Sequence, residues 1–313
     1  MQKIFISKRT ILPDGIKPSA ILVTNGQIKE IISLDSVEKI FQELKKYEGV
    51  AIEDFGNLVL MPGIVDSHVH VSEPGRTEWE GYWTATQAAA AGGVTTIVDM
   101  PLCRCHIVHL SAKEGLDLVR EAKNQGLPLT VETCFHYLSL TAEQIPRGAV
   151  EYKCCPPIRD AHNKEKLWDA LKDGTLDMVV SDHSPCTADL KGDGNFLQAW
   201  GGISSLQFGL SVLWTEARTR NFSFQDIARV LCASPAKMCG LDNIKGCLKV
   251  GVDADFVVWN PEETIEVSPY LNKEFYGKVY TTIVRGNVVY QDGKFSNKPL
   301  GKLLLPEEFL STI

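Results

Sequence analysis

The chain has 313 residues, of which 44% are hydrophobic and 23% are charged, and its formal net charge at pH 7 is −7. This composition is that of a globular protein with one large or two smaller domains. The negative charge argues against a nucleic-acid partner, because proteins that bind a phosphate backbone carry basic surfaces. The sequence has no run of 18 apolar residues, so no membrane span is expected.

The first residues, "MQKIFISKRT", have charges within a short apolar stretch and no small-residue cleavage site, so they do not resemble a signal peptide. Nine cysteines are scattered irregularly, with no pair of C-x-x-C motifs. This spacing favours free thiols in a reducing compartment over a zinc ribbon. We therefore expect a soluble, cytoplasmic protein.

The first 60 residues are predicted to form short strands. The runs "IFISK", "SAILVT" and "QIKEIIS" are rich in β-branched residues, and Asn25-Gly26 between the last two is a hairpin signal. The segment "SVEKIFQELKKY" that follows is predicted to be a surface helix.

From residue 57 to about 185, buried strands alternate with helices. The helix in "TEWEGYWTATQAAAAGG" is predicted to begin at Thr77 as N-cap, with Glu80 three residues later. The predicted strands are "LVLMPGIVDSHVH", "VTTIVDMP", "CHIVHLS", "LTVETCFHYL" and "LDMVVSDHSP". Such alternation is typical of βα units in a parallel sheet or barrel.

Strands return from about Gly246, in "DADFVVWNP" and "KVYTTIVRGNVVYQDGKF". Short strands at both ends of a βα middle indicate one small β-sandwich domain built from residues 1–60 and 245–313. The barrel domain is predicted to cover residues 61–244.

Four side chains at predicted strand ends have the chemistry of a metal site. His68 and His70 point to the same side of one strand, because side chains alternate with a period of two. His109 and Asp182 end two further strands. Because the carboxyl ends of parallel strands meet at one face of a barrel, these four residues are expected to converge on a zinc site.

The stretch "GIVDSHVHVSEPGRTEWEGYWTATQAAAAGGVTTIVDMPL" resembles the cyclic amidohydrolase branch of the amidohydrolase superfamily, and within it the allantoinase family. The segments "CHIVHLS", "ETCFHYL", "KCCPPIRD", "VVSDHSPC", "AWGGISSLQ" and "GVDADFVVW" extend this resemblance over nearly the whole chain. The "SEPGRTEWEGYW" and "KCCPPIRD" segments favour allantoinases over dihydroorotases or hydantoinases.

The resemblance implies a two-zinc hydrolase that opens the hydantoin ring of allantoin to give allantoate. One zinc would be held by His68, His70 and Asp182, and the other by two histidines, one of which matches His109. Asp182 would take and return the proton. Substrate contacts are expected near Ser72, Cys155 and Gly201. The resemblance also implies a homo-oligomer, a tetramer in the family, whose substrate is a small cyclic ureide.

The chain departs from the family in the middle of the barrel. The strand that carries the bridging carboxylated lysine is absent, and so is the strand that supplies the remaining histidine. Residues 61–240 number only 180, whereas a (β/α)₈ barrel needs roughly 250. The four residues "PLCR" between two predicted strands reach at most about 14 Å, which is too short for a parallel crossover.

The sequence therefore predicts an α/β fold with an incomplete TIM-like barrel that lacks strands three to five. At most one zinc is expected to bind tightly, and activity is expected to be impaired. Two alternatives stay open. One is a non-catalytic relative that assembles with full-length subunits, and the other is a hydantoinase- or dihydropyrimidinase-type cyclic amidase.

Overall fold

The fold is known from a computed structural model that describes residues 2–99, 105–266 and 274–304. The linker "PLCR" and part of the segment "TIEVSPYLN" lie outside the described residues. The strands are β1 Gln2–Leu12, β2 Gly15–Thr24, β3 Gln27–Ser33, β4 Ala51–Asp54, β5 Val59–Pro62, β6 Ile64–Val69, β7 Val94–Asp99, β8 Cys105–Ile107, β9 Leu129–Cys134, β10 Met178–Val180, β11 Phe256–Glu266, β12 Glu274–Val284, β13 Asn287–Gln291 and β14 Lys294–Phe295.

The described residues also form eight α-helices. They are α1 Val37–Leu44, α2 Tyr82–Ala91, α3 Leu116–Asn124, α4 Phe135–Ser139, α5 Ala161–Asp173, α6 Gly209–Ala217, α7 Phe224–Ala228 and α8 Ser234–Met238. A π-helical turn, Arg229–Ala233, joins α7 to α8.

Strands from both ends of the chain form one nine-stranded sheet. Its order is β14-β13-β12-β11-β5-β1-β2-β3, with β4 paired to β1. The predicted hairpin joins β2 to β3, and both Asn25 and Gly26 have positive φ, as a type I′ turn requires. β5 pairs with β1 on one side and with β11 on the other, so it links the two ends of the chain. The domain boundaries at 60/61 and 244/245 stay a prediction.

The five parallel strands of the middle region form an open arc. β8, β9 and β10 form a three-stranded parallel sheet, and β6 pairs with β7 in a two-stranded one. A single parallel bridge, from Val69 at the end of β6 to His183 beyond β10, joins these two groups of strands. Within the described ranges, no ladder connects β7 to β8. The α/β fold with an incomplete barrel is therefore confirmed.

The single strand predicted over "LVLMPGIVDSHVH" is two strands, β5 and β6, which belong to different sheets. Two further local predictions are wrong. The first is the N-cap of α2, because that helix begins at Tyr82 rather than after Thr77. Gly81 precedes the helix with φ 85°, and the Glu73 carboxylate accepts the Tyr82 amide hydrogen at 2.8 Å. The Glu73 carboxylate, from a preceding loop, therefore caps the helix in place of the Thr77 hydroxyl.

The second error concerns "LTVETCFHYL", which is a strand only as far as Cys134. The next five residues form α4, and all of them are buried. A short, continuously apolar run has no periodicity that separates a strand from a helix, so the sequence pattern could not locate this change. The change matters because it sets the direction of the side chain of His136.

A helical segment supports the ends of the strands that carry the site. The π-helical turn contacts both β6 and β10. Its three buried residues, Val230, Leu231 and Cys232, belong to the main core.

At the start of α7, the Ser223 hydroxyl accepts the Asp226 amide hydrogen, and the Asp226 carboxylate accepts the Ser223 amide hydrogen in return.

Replacing Ser223 by alanine removes half of this reciprocal cap. We expect the free energy of unfolding to fall by about 1 kcal/mol, measured by urea denaturation. The matched control is Thr187→Ala, because Thr187 precedes a 3₁₀ helix without making a side-chain cap bond. Equal losses in the two variants would contradict the capping argument.

Candidate metal centre

Three of the four predicted ligands come together at the carboxyl end of the arc. His68 Nε2 lies 3.5 Å from Asp182 Oδ1, and His70 Nε2 lies 3.4 Å from the same oxygen. One potential ligand atom from each residue lies within 4.8 Å of the other two. Two imidazoles and one carboxylate are donors that zinc accepts, so this part of the chain fits one zinc ion.

The backbone brings these residues together through contacts between β6 and β10. His70 donates its amide hydrogen to the carbonyl of His183 at 2.9 Å. Asp182 has φ 44°, a left-handed conformation that is uncommon for a residue other than glycine. Sparsely populated backbone conformations of this kind cluster at functional sites, where the surrounding structure holds them.

The buried carboxylate of Asp66 links β6 to the segment that follows β10. Asp66 accepts amide hydrogens from Ser181 and from His68, at distances of 3.2–3.3 Å. Burial raises the pKa of Asp66 to about 6, against these hydrogen bonds. Asp66 therefore holds the backbone on each side of the predicted ligands.

Glu132 on β9 contacts a candidate ligand and was not predicted from the sequence. Its carboxylate is fully buried and contacts His68 Nδ1 at 2.6 Å and His106 Nε2 at 3.0 Å. Burial opposes its ionisation, but hydrogen bonds from His106 and His68 outweigh that effect and lower the pKa of Glu132 to about 2. Because Glu132 contacts Nδ1 of His68, Nε2 of the same ring is left to face Asp182. A carboxylate hydrogen-bonded to the second ring nitrogen is the usual support for a metal-binding histidine.

His109, the fourth predicted ligand, lies beside the group and is not part of it. Its ring centroid is 5.5 Å from that of His68. Its backbone has φ 38°, and its amide hydrogen is donated to Glu132 at 3.1 Å. Among the described residues, two groups of three side chains could hold a metal ion, and His109 belongs to neither.

The predicted substrate residues lie on two loops. Cys155 and Gly201 are close together, because a Cβ atom on Gly201 would lie 3.0 Å from the Cys155 sulfur. Ser72 is on the other loop, with φ 63°, and its carbonyl accepts the Arg76 amide hydrogen. Trp79 and Trp200 join the two loops through an edge contact at 4.8 Å.

His183, for which no role was predicted, pairs with Glu80. Its Nε2 lies 3.0 Å from a Glu80 carboxylate oxygen, and its Nδ1 faces the amide of Ser205 at 3.3 Å. Because Nδ1 accepts a backbone amide hydrogen, Nε2 is the ring nitrogen that donates to Glu80. The pair lines a cavity of about 340 Å³ that neither His68 nor His70 borders.

A second group shares Asp182 with the first. Cys134, His136 and Asp182 each offer a ligand atom, and these atoms lie within 4.8 Å of one another. Cys134 ends β9 and His136 is the second residue of α4. Burial lowers the pKa of His136 to about 4, so its imidazole is neutral at physiological pH.

Comparison with known proteins places this arrangement in a family. The profile described as "Amidohydrolase family" matches residues 59–164 and 154–289. The chain therefore belongs to the amidohydrolase family. Within it, the chain is similar to curated allantoinases. It is 35% identical to one from Streptomyces avermitilis, with 96% of this chain and 98% of that relative aligned. It is 31% identical to one from Arabidopsis thaliana, with 96% and 90% aligned.

The length of these alignments shows the size of the departure from the relatives. The alignment with the Streptomyces protein spans 446 positions, whereas the chain has 313 residues. At least 133 aligned positions, the difference between the two lengths, are therefore filled by the relative alone. Because nearly all of both chains is aligned, most of these positions are internal.

Solved structures show the same fold. A D-hydantoinase superposes with a TM-score of 0.84 at 18% identity, covering 96% of this chain and 97% of that one. The L-hydantoinase (dihydropyrimidinase) from Arthrobacter aurescens gives a TM-score of 0.85 at 20% identity, covering 95% and 98%. Among the described residues, no helix is long and apolar enough to cross a membrane.

Proposed function

We propose that this chain is a metal-dependent cyclic amide hydrolase whose substrate is allantoin. It would open the hydantoin ring by adding water across a ring amide, which yields allantoate. The observation that carries this proposal is the similarity to allantoinases along almost the whole of both chains. The convergence of His68, His70 and Asp182 supports it independently of any relative.

We assign His68, His70 and Asp182 as the ligands of a zinc ion, and we expect at most one zinc to be held tightly. When bound, zinc would polarise the ring carbonyl and lower the pKa of water. Asp182 would accept the proton of the attacking water and return it to the leaving nitrogen. Glu132 would fix the ring of His68 by holding its Nδ1.

The substrate is proposed to lie between the loop of Ser72 and the loop of Cys155 and Gly201. The Trp79–Trp200 contact joins these loops, so both would approach a ligand above the metal centre together. A small cyclic ureide presents carbonyl and N–H groups, which backbone amides and carbonyls can satisfy.

We further propose that the protein is cytoplasmic and assembles as a homo-oligomer.

A second candidate function follows from the missing positions. At least 133 aligned positions of the Streptomyces relative have no counterpart here, and the arc of strands is open. A chain of this kind would act as a non-catalytic subunit that assembles with a complete enzyme and changes its activity. A hydantoinase-type activity on other cyclic amides is the third candidate.

The test compares ring opening of allantoin, hydantoin and dihydrouracil by the purified, zinc-loaded protein. Preferential release of allantoate, lost on chelation and restored by zinc, is the expected result. Turnover of hydantoin or dihydrouracil in preference to allantoin would support the third candidate. No turnover, combined with a change in the rate of a full-length allantoinase on mixing, would replace the first proposal by the second.

A further inference from the structure

Cys134, His136 and Asp182 form a second group of donors that the proposed zinc site does not use fully. All three residues are buried, and Cys134 is completely so. They come from the end of β9, the first turn of α4 and the segment after β10. Three donors from three adjacent elements therefore surround one point beneath the surface of the arc.

His136 is the member that points to a ligand. Its side chain is 3% exposed, and neither ring nitrogen has a hydrogen-bond partner among the residues that the structure describes. Buried polar atoms are satisfied in the great majority of cases, and an unsatisfied pair on one imidazole requires an explanation. A metal ion on one nitrogen would supply the missing partner.

The donor types determine which ion fits. A thiolate and an imidazole with one carboxylate favour borderline and soft divalent ions. Zinc–sulfur and zinc–nitrogen bonds are about 2.3 and about 2.0 Å long, so atoms within 4.8 Å of one another need only a small side-chain rotation to reach one ion. The thiol must lose its proton on binding.

We propose that Cys134, His136 and Asp182 form a second metal site for a soft divalent cation such as cadmium. A carboxylate has two oxygens, so Asp182 can serve this site and the His68–His70 site together. This inference goes beyond the proposed function, because it concerns metal binding and not ring opening. It also differs from a two-histidine second site, since His109 lies outside this group.

The test is a cadmium titration of the zinc-loaded protein, followed by sulfur-to-cadmium charge-transfer absorption in the ultraviolet. A background in which Cys103, Cys105 and Cys155 are serine removes the C-x-C pair and the exposed Cys155 thiol. In this background we expect one charge-transfer band that saturates at one cadmium per chain. Cadmium NMR of the same sample should report one sulfur ligand.

Three variants in that background decide the question. Cys134→Ser should abolish the band, and His136→Gln should weaken cadmium binding by about tenfold or more. Cys154→Ser is the matched control, because Cys154 is another buried thiol of the same core and lies outside the donor group. The control should leave the band unchanged.

Persistence of the band in Cys134→Ser, or its loss in Cys154→Ser, would overturn the proposal. If Cys134→Ser does not fold, His136→Gln still decides, because it retains the thiol. Unchanged cadmium affinity in that variant would exclude His136 as a ligand. Zinc content is measured in parallel, and retention of zinc in Cys134→Ser separates this site from the proposed catalytic one.

Discussion

The Asp182→Asn variant is expected to lose its tightly bound zinc and its ring-opening activity together. Asparagine keeps the shape of the side chain but removes the charge that lies between His68 Nε2 and His70 Nε2. Two imidazoles then remain as strong ligands, which is too few for a stable zinc site. We expect zinc affinity to fall about 100-fold or more, because loss of a direct ligand exceeds the effect of its supporting contacts.

Activity measured at saturating zinc separates the two roles of Asp182. Because Asp182 is also the proposed proton acceptor, kcat should stay about 10²–10⁴-fold lower even when added zinc fills the site. Asp193→Asn is the control, since Asp193 is exposed on the loop that follows. Stoichiometric zinc by elemental analysis in Asp182→Asn would contradict the assigned ligand set.

The Glu132→Gln variant is expected to lower the free energy of unfolding by roughly 3 kcal/mol at neutral pH, as measured by urea denaturation. Glu132 is fully buried and is the shared hydrogen-bond partner of His68 and His106, so its replacement removes the buried negative charge that both imidazoles contact. Glu151→Gln is the control, because Glu151 lies on the surface. A loss below about 0.5 kcal/mol, the range of surface substitutions, would contradict this account.

The pH dependence of this loss has a defined sign. The pKa of Glu132 is lowered to about 2 from an ordinary value of 4.5. A lowered pKa in the folded state adds stability that is complete above the unfolded pKa and disappears as the pH falls through the folded one. The difference in stability between the native protein and Glu132→Gln should therefore shrink between pH 4.5 and about 2.

Much of this architecture is readable in the sequence. The alternation of apolar runs predicts the parallel strands, and Asn25-Gly26 predicts the hairpin that the structure contains. The H-x-H pair and Asp182 are predictable because strand ends of a parallel sheet converge at one face. The shortage of residues between Met61 and Gly240, together with the four-residue linker, predicts an incomplete barrel without reference to any relative.

Other parts of the site could not be read in this way. The helix that begins at Phe135 turns His136 toward Asp182, and a uniformly apolar segment gives no sign of that turn. Glu132 did leave a signal, because a carboxylate within a buried strand must find partners. Which histidines would be its partners depends on the register of β9 against its neighbours, and that register is a tertiary property.

The position of β5 has a consequence for how the chain folds during synthesis. Val59 of β5 pairs with Trp259 of β11, which lies 200 positions further along the chain. Contacts between such distant positions form slowly, because a long loop must close first. The nascent polypeptide cannot complete its largest sheet until β11 has left the ribosome. Until then β5 keeps one unpaired edge, and a chaperone that shields this edge should increase the yield of folded protein.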